Sequence, residues 1–164
     1  TGWPVTLGFY IWGSPAIGDI DGDGEEEIVC TSRNNTNGNT GALYAYHKNG
    51  TVVTGFPVTQ AGGGTMNACL ADLNADNVNE ILVNIRSAPN GWTYVYTGNG
   101  QIMEGWPQAL DTFPGAAVSA GDINNDNSVE VVSLSYNSLY VFNPNGNVKT
   151  GFPVTFPNRL REGR

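Results

Sequence analysis

The chain says one thing three times, and that repetition limits the folds open to it. Gly18-Asp19-Ile20-Asp21-Gly22-Asp23-Gly24-Glu25-Glu26-Glu27-Ile28-Val29 returns as Ala71-Asp72-Leu73-Asn74-Ala75-Asp76-Asn77-Val78-Asn79-Glu80-Ile81-Leu82. It returns again as Gly121-Asp122-Ile123-Asn124-Asn125-Asp126-Asn127-Ser128-Val129-Glu130-Val131-Val132. The leading acids recur about every 50 residues. A second landmark runs in step: Gly2-Trp3-Pro4, Gly55-Phe56-Pro57, Gly105-Trp106-Pro107 and Gly151-Phe152-Pro153. Ahead of the last three copies lie Asn49-Gly50, Asn99-Gly100 and Asn145-Gly146. Each pair divides two apolar runs, which is a strong hairpin signal. Such a chain folds as an array of similar units.

Each period reads as four short strands. In the first period, residues 15–20 run into the acidic segment and 27–31 leave it, while 42–47 lead into the Asn-Gly turn and 51–54 leave it. The third strands, Leu43-Tyr44-Ala45-Tyr46, Thr93-Tyr94-Val95-Tyr96 and Leu139-Tyr140-Val141-Phe142, carry large apolar groups on both faces. Second strands such as Ile81-Leu82-Val83 are continuously apolar, so both faces of each sheet need cover. A radial stack of four-stranded antiparallel sheets, one per repeat, supplies it. Small residues at the matching point of the first strands, Ala16, Cys69 and Ser119, suit crowding near an axis.

Composition removes other classes. The 22 Gly and 9 Pro against 13% charged residues argue against a helical bundle, and 40% hydrophobic residues argue against disorder. A net charge of −8 disfavours nucleic acid as a partner. No run approaches the roughly 20 apolar residues of a membrane-spanning helix. Cys30 and Cys69 are too few for a disulfide scaffold. The sequence begins at Thr1 with no visible leader, which reads as a processed chain or an excised piece.

Within each acidic segment, carboxylate or amide side chains fall at positions 1, 3, 5 and 9. These are Asp19, Asp21, Asp23 and Glu27, then Asp72, Asn74, Asp76 and Glu80, then Asp122, Asn124, Asp126 and Glu130. A tight turn can aim alternate side chains at one point. Position 7 varies in chemistry (Glu25, Val78, Ser128), so its contribution would be the backbone carbonyl. Position 6 is Gly24, Asn77 and Asn127, types that tolerate a left-handed backbone. All donors are oxygen, with no Cys or His expected near them, so zinc and copper fit poorly. Several oxygens from one flexible turn suit Ca2+ better than Mg2+, which keeps its water. An EF-hand places its last Glu at position 12, flanked by helices. Ten of the 15 acidic residues occupy these ligand positions. Three Ca2+ sites, one per repeat, are therefore expected. The extra carboxylate in the first turn should make it the tightest.

These residues resemble the calcium-binding propeller repeats called FG-GAP or VCBS repeats, found in integrin alpha chains, fungal propeller lectins, secreted bacterial adhesins and some polysaccharide lyases. The resemblance covers roughly residues 1–156, with Asn in place of Asp at Asn74 and Asn124 and in place of Gly at Asn77 and Asn127. It implies an all-β fold of three four-stranded antiparallel β-propeller blades at about 8–56, 57–106 and 107–153. Residues 1–7 would be the last-strand segment of a preceding or neighbouring blade, and 157–164 a basic tail or linker. It also implies that the turn residues named above are metal ligands.

Closed propellers have about four to eight blades, more than three. The chain is then either part of a larger propeller or is completed between subunits. The expected function is extracellular adhesion or recognition of a carbohydrate or protein, with structural Ca2+ and no catalysis. The alternatives are a self-assembling fibre or sheath subunit, or a piece of a secreted polysaccharide lyase or hydrolase. His47, the single histidine, is expected at the surface or in packing. Trp3, Phe56, Trp106 and Phe152 recur with the repeat and are expected to pack. Tyr10, Trp12 and Trp92 break it and are ligand-face candidates, as is the polar insertion 33–40. Cys30 and Cys69 are expected as small core residues, with a bridge between them as the alternative.

Overall fold

In the computed structural model, the described residues are 2–8, 10–11, 13–34, 40–61 and 67–156. Trp12, most of the 33–40 insertion and the basic tail lie outside them. No helix occurs among the described residues. The strands form three antiparallel sheets, and none closes into a barrel.

Sheet one contains β1 (Tyr10–Ile11), β2 (Ala16–Gly18), β3 (Glu27–Asn34), β4 (Thr40–Tyr46) and β5 (Val58–Ala61). Sheet two runs β6 (Cys69–Ala71), β7 (Glu80–Ser87), β8 (Asn90–Tyr96) and β9 (Gln108–Leu110). Sheet three runs β10 (Ser119–Gly121), β11 (Glu130–Leu134), β12 (Ser138–Phe142) and β13 (Val154–Thr155). The expected four-strand pattern holds, with one addition. In sheet one, β1 and β2 pair with different stretches of β3, at Arg33 and Ser32 and at Val29, Ile28 and Glu27. The first-strand position is thus filled twice.

The fourth strands differ from expectation. Residues 51–54 do not form one: Val52, like Ile102 and Val148, makes a single bridge to the end of the third strand. The chain then turns through Gly55, at φ 96°, and a cis Phe56-Pro57 bond before pairing as β5. The outer strand therefore lies beyond residue 56, past the expected blade boundary. A glycine at positive φ redirects the chain, so apolar residues on either side of it belong to different layers.

The sheets stack through two cores. Between sheets one and two lie Val29, Leu43, Ala45, Ile81, Val83, Ile85, Tyr96 and Phe56. Between sheets two and three lie Leu82, Val95, Leu110, Val131, Tyr140, Phe142 and Trp106. The first strands are neighbours, β2 beside β6 and β6 beside β10, which fits their small residues. Cys30 and Cys69 are free, and burial pushes both thiols up.

The Gly-aromatic-Pro passages at Gly55 and Gly105 lock onto the Asn-Gly turn of the following sheet. A Cβ on Gly55 would sit 1.9 Å from the Asn99 carbonyl oxygen, and one on Gly105 2.2 Å from that of Asn145. Trp106 Nε1 donates to the Pro144 carbonyl at 3.0 Å, and its ring meets Phe142 edge-on. Residues 2–5 repeat this on sheet one: Gly2 lies against Asn49, and Trp3 Nε1 donates to the Lys48 carbonyl at 2.9 Å. Of the recurring aromatics, Phe56 and Trp106 are buried as expected, whereas Trp3 is 46% exposed and Phe152 half-buried.

A polar knot crosses the second core. Fully buried Asn84 accepts from the Thr93 and Ser133 hydroxyls at 2.9 and 3.2 Å and donates to the Ala116 carbonyl at 3.1 Å. Asn84→Ala strands that carbonyl and opens a small void. It should lower unfolding free energy by about 2–3 kcal/mol in a denaturant titration, whereas an exposed change such as Ile102→Thr should cost under about 0.5 kcal/mol.

Candidate metal centre

All three acidic turns sit between the first and second strands of their sheets. Their backbones wrap around the leading aspartate. Asp19 Oδ2 accepts from the Gly24 N–H at 3.0 Å, Asp72 Oδ2 from Asn77 at 2.8 Å and Asp122 Oδ2 from Asn127 at 2.9 Å. The fifth-position carboxylate accepts from the seventh-position N–H at 2.8 Å in every turn, from Glu25, Val78 and Ser128 respectively. These bonds need two left-handed residues per turn. Position 6 is one, at Gly24, Asn77 and Asn127; position 4 is the other, at Gly22, Ala75 and Asn125. The second went unforeseen because Ala75 is no left-handed former.

The ninth-position glutamate closes each turn from beneath. Glu27, Glu80 and Glu130 open β3, β7 and β11 and are buried at 0%, 3% and 1% exposure. One oxygen of each accepts the N–H of the second-position residue: Ile20 at 3.2 Å, Leu73 at 2.8 Å and Ile123 at 3.0 Å. The other oxygen meets a different nitrogen each time. Glu27 Oε1 lies 3.1 Å from His47 Nδ1, Glu80 Oε1 3.1 Å from Asn74 Nδ2 and Glu130 Oε1 2.6 Å from Lys149 Nζ.

The electrostatics follow. Burial pushes the Glu80 carboxyl up, helped by the nearby charges of Asp76 and Asp72 and opposed by the Leu73 N–H. Burial also raises Asp122, but N–H groups of Asn127, Asp126, Asn124 and Asn125 outweigh it and hold the carboxyl below its ordinary value. The seventh-position side chains do not converge with the others; Glu25 turns outward to Lys48.

The donors fit a hard divalent cation. In turn two, the neutral Asn74 amide donates to Asp76 Oδ2 at 2.9 Å and to Glu80 Oε1 at 3.1 Å, bridging the two carboxylates. Turning that amide presents its oxygen instead. In turn one, Asp21, Asp23, Glu27 and His47 each offer a ligand atom within 4.8 Å of one another.

His47 is a correction. It is not remote from the acidic turns, because the antiparallel register pairs Ile28 with Tyr46 and so sets Glu27 across from His47. The same register sets Thr97 and Asn143 near the other two glutamates. Lys149 was missed as well, since 19 residues separate it from Glu130. The turns also touch: the Asp19 carbonyl accepts from Asn79 N and Nδ2 at 2.9 and 3.0 Å. Of the ligand-face candidates, Tyr10 is exposed on β1 and Trp92 is half-buried on β8.

Residues 19–83 match the family model of the FG-GAP-like repeat. No curated protein matches the chain. Among solved structures, the V. cholerae biofilm matrix protein Bap1 is similar over 84% of this chain and 30% of its own, at 16% identity and a TM-score of 0.44. This chain thus spans under a third of that protein. The first two acidic turns and strands β3 to β6 fall inside the matched segment, and the chain is an all-β protein of three antiparallel sheets in which that segment is similar to an FG-GAP-like repeat.

Proposed function

We propose that this chain is an extracellular module for adhesion or for recognition of a glycan or protein, with one structural Ca2+ held in each acidic turn. The observation that carries the reading is the threefold recurrence of one acidic turn, with the same backbone-to-carboxylate hydrogen bonds, on a buried glutamate. Bound calcium would supply positive charge to carboxylates that otherwise repel one another. The proposed ligands are Asp19, Asp21, Asp23 and Glu27 in turn one. In turn two they are Asp72, Asn74, Asp76 and Glu80, and in turn three Asp122, Asn124, Asp126 and Glu130. The carbonyls of Glu25, Val78 and Ser128 complete the sets. Calcium outside cells is near millimolar, so sites of moderate affinity stay filled there. A non-catalytic role is supported by His47, which faces Glu27 rather than a nucleophile.

Calcium should raise the melting temperature and EDTA should reverse the rise. A site filled at 100 times its Kd adds roughly 2.7 kcal/mol, which for a chain of this size is about 5–10 °C. No shift on chelation would contradict the proposal.

The turns should respond separately. Asp72→Asn should remove about one third of the calcium-induced shift, read by calorimetric titration as one ion fewer per chain.

Lys149 sits where its ammonium competes with a metal for Glu130. Lys149→Met should destabilise the calcium-free protein by roughly 2 kcal/mol, through an unpaired buried carboxylate, and tighten calcium binding at turn three. Paired denaturant and calcium titrations check both signs.

A further inference from the structure

We propose, resting on the reading of turn one as a cation site, that this turn prefers a first-row transition-metal dication of the zinc class, with His47 as its nitrogen ligand. The three repeats serve as controls for one another, because their turns share one backbone and differ in a few side chains.

Each buried glutamate keeps one oxygen for a nitrogen. In turns two and three that nitrogen has no lone pair to give: it is the Asn74 amide, 3.1 Å from Glu80, and the Lys149 ammonium, 2.6 Å from Glu130. At the same place in turn one stands His47, with Nδ1 3.1 Å from Glu27 Oε1. A neutral imidazole nitrogen is a good ligand for a transition metal. Zinc fits poorly where no His is near the turn, and strand register brings His47 there.

The other side chains differ in the same direction. The third position is Asp21 in turn one but Asn74 and Asn124 elsewhere. Those two amides donate to Asp76 and Asp126 at 2.9 and 2.8 Å. An ionised Asp21 cannot donate such a bond to Asp23. The place of Lys149 is taken by Val53 in repeat one, and Lys48 turns away to Glu25.

The result is a convergence that the other turns lack. Asp21, Asp23, Glu27 and His47 each bring a ligand atom within 4.8 Å of one another. Among the described residues, no other set of three or more His, Cys, Asp or Glu ligand atoms is drawn that close. An ion with bonds of about 2.0–2.2 Å spans atoms about 4 Å apart, so small side-chain rotations close the set. Three carboxylates and one imidazole make the four ligands of a tetrahedral Zn2+. Ca2+ takes about six to eight oxygens and gains nothing from the nitrogen.

The ligands are held before any ion arrives. Glu27 is fully buried, and its Oε2 accepts from the Ile20 N–H at 3.2 Å. The His47 N–H donates to the Thr51 carbonyl at 2.9 Å, and the His47 carbonyl accepts from Gly50 at 2.8 Å. The His47 side chain is 30% exposed, so an ion reaches it from solvent. The ion then clips the acidic turn to the Asn-Gly hairpin of the same repeat.

The single histidine makes a test specific to this turn, because its ring C–H signals in a proton NMR spectrum belong to one residue. The metal-stripped full chain is loaded with Ca2+ and titrated with Zn2+, and bound ions are counted by native mass spectrometry. One equivalent of Zn2+ should displace one Ca2+ and move the His47 ring signals, binding at least about tenfold more tightly than Ca2+ at that turn. Ca2+ alone should leave those signals nearly in place. His47→Asn, which copies Asn143 of the third repeat, should weaken Zn2+ binding at least about tenfold and still take up Ca2+. A chain that keeps three Ca2+ and exchanges none for Zn2+ overturns the inference and leaves the calcium reading standing. So does Zn2+ that binds without moving the ring signals, or equally well to His47→Asn. One Zn2+ at His47 in a chain that holds no Ca2+ supports the inference and overturns the calcium reading.

Discussion

The structure depends on a buried carboxylate at the start of each second strand. Glu27, Glu80 and Glu130 are almost without solvent, so each carboxyl needs hydrogen-bond partners from the protein. One oxygen is satisfied by the turn's own backbone and the other by a nitrogen that differs among the repeats. An unpaired buried charge costs several kcal/mol, so these partners cannot be incidental. The turn, the strand that follows it and the neighbouring third strand are held in one arrangement by that requirement. Because Asn79 clasps the Asp19 carbonyl, the first two turns also share a boundary.

The repeated carboxylates explain why so much was legible beforehand. Positions 1, 3, 5 and 9 depend only on local spacing, and local spacing is what a sequence displays. The third strands were equally plain, since Tyr44, Tyr96 and Phe142 with their apolar neighbours demand burial on both faces. What escaped depends on register or on packing between sheets. His47 reaches Glu27 only because Ile28 pairs with Tyr46. Lys149 reaches Glu130 from the far side of a hairpin turn. Residues 51–54 look like a strand because Val52 and Val53 are apolar, but Gly55 diverts the chain before a ladder can grow. Asn84, read alone, breaks an apolar run; its fitness lies in Thr93, Ser133 and Ala116, which no local pattern reveals.

The two kinds of glycine divide the labour of the fold. Those in the acidic turns bend backbone around charge. Those at Gly55 and Gly105 let one sheet's passage touch the next sheet's hairpin, at a distance no side chain would permit. The first kind gives each repeat the same acidic turn and the second lets the repeats stack.

Counting ions is the most direct check on the central claim. Native mass spectrometry of metal-stripped protein, returned to calcium, should show a chain carrying three tightly held Ca2+ ions, with no such retention when Mg2+ is offered instead. A chain that carries no calcium under these conditions would contradict the account, because the three acidic turns would then have another purpose.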